Sequence, residues 1–247
     1  MSVTESYFVA SYWGVRKESA DQCGRRLTVF LETLRDCDPI LARWFRKGDA
    51  PLAGGGNEIG IVPTTLTALL GVGVNRKDFG RQIIEDLGFR VNLWNGAQGA
   101  RGASLSVKCG SYAPRPGINS CVVSFGASTE KDCVPIPLSL LLSVLESMAR
   151  AWDPDWGLID SNLHFRTNAT TTPSALRAGW AMFLSRKFGL PAGLPPAVQI
   201  FPLDNLGSIV VTTGDQFTAS NRSHVDLADS ITTILQAGVR EDLSQVR

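Results

Sequence analysis

The chain has 247 residues, 44% of them hydrophobic and 19% charged, enough apolar material for a sizeable core in one large domain or two small ones. Its net charge of +1 excludes the strong field expected of a nucleic-acid or membrane-surface binder. Lys and Arg number 14 against 11 acids in residues 1–110, and 10 against 12 in residues 111–247, an asymmetry too small to name a partner.

Residues 7–13 are aromatic and β-branched and end at Gly14, which predicts a strand. Ser19 and Gln22 then have capping-box spacing, so the Ser hydroxyl can satisfy an orphan N–H while Gln22 reaches back. Ala20, Cys23, Leu27, Phe30, Leu31 and Leu34 recur at three and four residues, the stripe of an amphipathic helix that Asp38-Pro39 ends. Ile40, Leu41, Trp44 and Phe45 predict a further helical turn or two, stopped by Gly48. Residues 49–61, with Gly54-Gly55-Gly56, read as a loop. Residues 63–70 predict a short helix with Pro at its start, and residues 77–86 another.

Three strands follow at residues 89–94, 103–109 and 120–125, separated by Gly- or Pro-rich turns, which predicts an antiparallel meander. Residues 137–152 form the second strong helix, with a broad apolar face, a Glu146–Arg150 pair one turn apart and a break at Asp153-Pro154. The last third reads as strands at 157–159, 180–184, 198–201 and 208–212. A closing helix at 223–237 turns Leu227, Ala228, Ile231, Ile234 and Leu235 inward and stops at Gly238. The expected fold is α+β: a largely antiparallel sheet with packed helices in a single domain over residues 1–247.

Five cysteines lack CxxC spacing and read as buried, reduced thiols of a cytoplasmic protein. Residues 1–10 lack the basic and apolar regions of a signal peptide, and the most apolar stretch, 137–149, is too short to span a bilayer. Little in the chain carries chemistry. His164 and His224 stand alone and read as surface or helix-start residues; no residues have metal-ligand spacing. Gly71-Val72-Gly73 begins like a dinucleotide fingerprint, but Arg76 occupies the third Gly position and a helix precedes it, so it reads as a helix stop. No acid stands two residues before a Lys, as a metal-dependent nuclease of the restriction-endonuclease type needs. No catalytic residue, cofactor or metal is expected.

Six tryptophans stand in an ordered series. Tyr12-Trp13-Gly14 precedes Arg16 and the long amphipathic helix, which leads into Asp38-Pro39 and Trp44-Phe45. Leu87-Gly88-Phe89 runs into Trp94-Asn95-Gly96. Trp152-Asp153-Pro154-Asp155-Trp156 follows a buried helix, and Gly179-Trp180 opens a strand. Taken together, the series resembles the immunity protein 52 family of bacterial polymorphic toxin systems over nearly the whole chain. That resemblance implies an α+β protein with no activity of its own, encoded beside a toxin with a restriction-endonuclease-like nuclease domain. Such toxins are delivered by, for example, type VI secretion. The implied role is to bind and neutralise the cognate toxin in the cytoplasm of producer and sibling cells, without contacting nucleic acid or membrane. The near-neutral charge departs from the acidity common among nuclease inhibitors, and the loop around Gly54–Gly56 reads as a local elaboration. A hydrolase with a poorly marked site and a secretion-system adaptor stay open as alternatives, and the oligomeric state is unspecified.

Among the motif residues, Trp13, Trp94, Trp156 and Trp180 are expected to be structural, Trp13, Trp94 and Trp180 as core anchors. Gly14 and Gly96 are expected to let the chain turn after each Trp. Toxin contacts are expected from the acids Glu130, Asp132, Asp153, Asp155 and Asp160, which can meet cations that would otherwise hold phosphate.

Overall fold

The computed structural model describes residues 5–47, 57–114, 118–126, 136–167 and 176–245, the side chains of the last segment as far as residue 237. Among the described residues nine strands, β1 (Tyr7–Trp13), β2 (Phe45–Arg46), β3 (Phe89–Trp94), β4 (Ala103–Cys109), β5 (Asn119–Phe125), β6 (Trp156–Ser161), β7 (Ala181–Ser185), β8 (Gln199–Leu203) and β9 (Gly207–Val211), form one sheet in the order β2-β3-β4-β5-β1-β6-β7-β9-β8, and every neighbouring pair is antiparallel. The predicted α+β class and antiparallel sheet are thus present.

Strand β1 (Tyr7–Trp13) lies at the centre, with Phe8 opposite Ser124 on one side and Asp160 on the other. The meander is β3 (Phe89–Trp94), β4 (Ala103–Cys109) and β5 (Asn119–Phe125). Beyond β1 come β6 (Trp156–Ser161), β7 (Ala181–Ser185), β8 (Gln199–Leu203) and β9 (Gly207–Val211).

Helix α1 (Ala20–Cys37) carries the full capping box of Ser19 and Gln22, and buries Cys23, Leu27, Phe30, Leu31 and Leu34. It packs against α2 (Pro63–Val72) and α3 (Leu138–Trp152). Helix α3 lies over β1 and β6 and buries residues on several sides, as its wide apolar face requires. Contact there is close: a Cβ on Gly157 would lie 2.7 Å from Leu145 Cδ1. Asp153 adopts the left-handed conformation (φ 47°) and ends α3. Two arginines finish the cap. Arg16 donates to the carbonyls of Trp152 (2.6 Å) and Asp153 (3.3 Å), and Arg26 to that of Ala151 (2.9 Å). Cations here oppose the negative end of the helix dipole.

Four local expectations are corrected. After a 3-10 turn at Pro39–Leu41 the chain does not continue as helix; Phe45–Arg46 is a short strand, β2, paired to Leu93 and Trp94. Residues 77–86 are not a helix. Arg76 bridges Ile83 and a tight turn passes through Gly80 (φ 76°) and Arg81 (φ 51°), leaving only a 3-10 turn at Glu85–Leu87. Helix α5 (Arg222–Gln245) runs through Gly238, because one glycine weakens a helix by only about 1 kcal/mol. A short helix, α4 (Asn162–Thr167), directly follows β6 where none was expected. The Gly54–Gly56 loop and Gly48 lie outside the described residues.

The two faces of the sheet are covered unequally. Helices α1–α3 cover one face throughout β3, β4, β5, β1 and β6, where Val91, Leu93, Leu105, Val107, Cys121 and Val123 are buried. On the other face, α4 covers the centre: Phe165 meets Phe8 edge-on at 5.1 Å. The same face of β3–β5 carries Arg90, Asn92, Trp94, Ser104, Ser106, Lys108, Ser120, Val122 and Ser124, each exposed or half-buried. No described helix is long and apolar enough to cross a membrane.

Candidate functional site

Of the expected acidic patch, the described residues Asp153, Asp155 and Asp160 do not come together on the surface. Asp153 is exposed at the end of α3, where its backbone N–H donates to Ala149 (3.1 Å). Asp155 is committed to the fold: Oδ2 accepts from the Gly14 N–H at 2.8 Å and Oδ1 from Lys187 Nζ at 3.3 Å. Asp160 is in the interior, at 0% exposure. Strand alternation puts it beside Phe8 under α4, a placement that depends on which strands pair. Glu130 and Asp132 lie outside the described residues.

Asp160 instead anchors a buried charge cluster. Both its carboxylate oxygens lie 2.9 Å from His164 Nδ1, and Oδ1 accepts the Ser161 N–H at 2.8 Å. Burial pushes the Asp160 carboxyl up, against the pull of His164, the Ser161 N–H and the Arg177 guanidinium. Arg177 is itself buried, 3.5 Å over the Phe165 ring, and burial lowers it while Asp160 holds it up. His164 stands in the first turn of α4, a helix start as expected, but it is buried rather than at the surface, and His224 sits in the first turn of α5. Ser161 does not complete a hydrolytic triad. Its hydroxyl donates to Glu5 and accepts the N–H groups of Leu163 and His164, so it caps α4. Among the described residues no group of three or more His, Cys, Asp and Glu could hold a metal ion.

The tryptophan series divides. Trp13 is buried and stacked on Trp152 at 5.3 Å; Trp156 stacks on Tyr12 at 4.6 Å. Trp180 is buried, with Nε1 donating to the Thr213 carbonyl at 3.0 Å. Trp94 is not a core anchor. Val91 and Leu93 take the inner face of β3, so Trp94 falls on the other, half-buried and opposite Phe45. Gly96 does turn with positive φ (77°), but Gly14 does not. Gly14 contributes its backbone polar groups: N–H to Asp155, and its carbonyl accepts from Asn119 Nδ2 at 2.7 Å.

Two asparagines were missed by sequence reasoning. Asn95 Nδ2 donates to the carbonyls of Ile40 (3.0 Å) and Arg101 (2.8 Å), while Oδ1 accepts from Ala97 and Ala103. Asn119, fully buried, joins Gly14 to Ser111. The signal for Asn95 was its place between Trp94 and Gly96; Asn119 carried none.

Among the described residues, no helix covers the face of β3–β5 opposite α1–α3. An open depression of ≈540 Å³ lies there, lined by Lys47, Trp94, Gln98, Ser104, Ser124 and Phe125 with neighbouring Gly and Ala residues. These three strands contain no Asp or Glu but carry Arg90 and Lys108, directly opposite each other. A rigid polar sheet with one half-buried aromatic presents hydrogen-bonding groups and an apolar anchor, features of a protein-binding surface.

The family model described as Immunity protein 52 (Imm52) matches residues 5–241. The chain belongs to the Imm52 family. No curated protein matches it in sequence. Among solved structures it is similar to the Pseudomonas aeruginosa T6SS protein PA0821, at 13% identity and a TM-score of 0.52, over 96% of this chain and 72% of that one. At that identity the likeness concerns the fold alone. The Imm52 match spans the elements that build both the helix-covered core and the open β3–β5 face.

Proposed function

We propose that this Imm52 chain binds and neutralises a cognate nuclease toxin of restriction-endonuclease-like type, in the cytoplasm of the cells that make it. The observation that carries the reading is the Imm52 match over residues 5–241, which makes it an immunity protein and its partner a toxin. Delivery of that toxin by type VI secretion is part of the same proposal, in keeping with a fold shared with a T6SS protein. The role needs no chemistry from the inhibitor. It needs a preformed surface of about 800 Å² per partner with a few anchors and a polar rim. The uncovered sheet face and the segments flanking it supply such a surface, and exposed Asp153 remains available as a rim contact.

The test is co-expression of this chain with the toxin encoded beside it, scoring growth, genomic DNA integrity and co-elution of the two purified proteins. Restored growth with intact DNA and a stable complex is expected. Two folded proteins that form no complex at micromolar concentration would overturn the proposal. Rescue from a toxin that leaves nucleic acid intact would remove the nuclease and keep the immunity role.

A further inference from the structure

A groove of ≈230 Å³ lies where the end of α2 meets β2 and β3, lined by Arg46, Lys47, Leu69, Val72, Arg90 and Asn92, together with Gly73 and Val91. Three of its lining residues are cations and none is acidic. Its walls are fixed by backbone hydrogen bonds: Lys47 N–H to Asn92 O at 3.0 Å, and Arg90 N–H to Gly73 O at 2.9 Å. Gly73 is needed for that approach, since a Cβ there would fall 1.8 Å from the Arg90 carbonyl oxygen. The Gly71-Val72-Gly73 sequence thus serves helix–strand contact.

Beside the groove stands the tight turn of residues 75–84. Lys77 N–H donates to Gln82 O and Ile84 N–H to Asn75 O, both at 2.9 Å, and Asn75 Nδ2 ties its base to Leu87 and Gly88. At the tip Phe79 is 94% exposed, and Val72 at the groove wall is 67% exposed. Arg76, Lys77 and Arg81 share the turn with one acid, Asp78. Among the described residues, Arg46, Lys47, Arg76, Lys77, Arg81 and Arg90 form no salt bridge, whereas Asp155 and Asp160 of the expected patch are already engaged. Arg90 also faces Lys108 directly across the β3–β4 ladder, an unfavourable like-charge pair. Burial and Arg90 together lower the Lys108 pKa, in keeping with that repulsion.

We infer that the cationic groove of Arg46, Lys47 and Arg90, with the Phe79 turn beside it, docks an acidic surface of the toxin. The inference rests on the proposed immunity function and sets the sign of its interface opposite to the acidic patch expected from sequence. Charge complementarity fixes the partner's chemistry, because an acidic surface relieves the repulsion within the cluster and brings carboxylates to unpaired guanidinium groups. Exposed Phe79 and Val72 select a protein over a nucleic acid. An aromatic and an aliphatic side chain flanking arginines are the anchors of a protein interface, where they bury apolar area that a phosphate backbone does not offer.

The experiment measures toxin-binding kinetics at low and high salt for wild type, Arg46→Glu with Arg90→Glu, and Phe79→Ala, each checked by a thermal melt. All three side chains are exposed, so no variant should melt below wild type. The double reversal should slow association roughly ten-fold or more at low salt, and the gap should shrink at high salt. Phe79→Ala should weaken the complex roughly thirty-fold, mainly through faster dissociation. Both variants binding like a wild type that does bind would overturn the inference and leave the immunity function standing. A wild type that neither binds nor protects would overturn both. Two further results place the surface elsewhere in function: unchanged toxin binding with lost retention of a DNA duplex, or unchanged toxin binding with loss of a concentration-dependent dimer.

Discussion

The Asp155 carboxylate accepts a hydrogen bond from the Gly14 N–H at 2.8 Å, tying the end of β1 to the start of β6 across 141 residues of chain. The two backbones reinforce it, with Asp155 N–H donating to Tyr12 O at 2.9 Å. Asp155 is therefore a structural residue in this protein. Asp155→Ala is expected to cost about 1.5–3 kcal/mol, the range for a hydrogen bond to a charged group. Chemical denaturation measures the loss, and toxin affinity of the folded fraction should not change. An Asp155→Ala protein with wild-type stability and lost toxin binding would return this residue to the interface.

Asp160 should be far less tolerant. Removing one member of a buried charge pair leaves the other uncompensated, which costs about 3–5 kcal/mol. Asp160→Ala is expected to fall in that range, and Asp160→Lys, which places a second cation among His164 and Arg177, should not accumulate as folded protein. Soluble yield and urea midpoint report both. A soluble Asp160→Lys with an unchanged midpoint would mean that the side chain reaches solvent.

Trp94 and Trp152 separate the two sides of the sheet by measurement. Trp152 is fully buried, so Trp152→Ala should cost about 3–5 kcal/mol. Trp94 is half-buried on the open face, and Trp94→Ala should cost about 1–2 kcal/mol because less apolar area is removed from water in the fold. Equal losses in parallel denaturation curves would place Trp94 back in the core.

Alkaline stability should report on Tyr7. Its hydroxyl donates to the Phe217 carbonyl at 2.7 Å, and burial pushes its pKa up to about 12 from an ordinary 10.0. The native state therefore keeps a proton that the unfolded chain releases. The stabilisation is fully present below pH 10 and is lost as pH rises through about 12. Tyr7→Phe should be less stable at neutral pH by about 1 kcal/mol for the lost hydrogen bond, and should show a flatter decline between pH 10 and 12. Parallel Tm–pH curves for the two proteins would rule this linkage out.

Short-range pattern was enough for much of the fold. The capping box, the stripe of α1, the alternating strands β3, β4 and β5, and the apolar face of α3 are each set within a few turns or strand residues. The local reading misled at residues 77–86, expected to be helical, where Gly80 and Arg81 take the positive φ of a tight turn. Phe45 shows the opposite case: its apolar neighbours suggested helix, but pairing with Trp94 nearly 50 residues away made it a strand.

The sequence by itself determined the α+β class, the family and the absence of a motif that marks chemistry, because local periodicity and an ordered motif series are written along the chain. Tertiary structure decided which charges are available to a partner. Asp155 is spent on Gly14, Asp160 is sealed beneath α4, and Arg46, Lys47 and Arg90 meet only where β2 and α2 converge on β3. The free energy of a charged group depends on its distance from water and from other charges, and strand pairing between distant segments sets both.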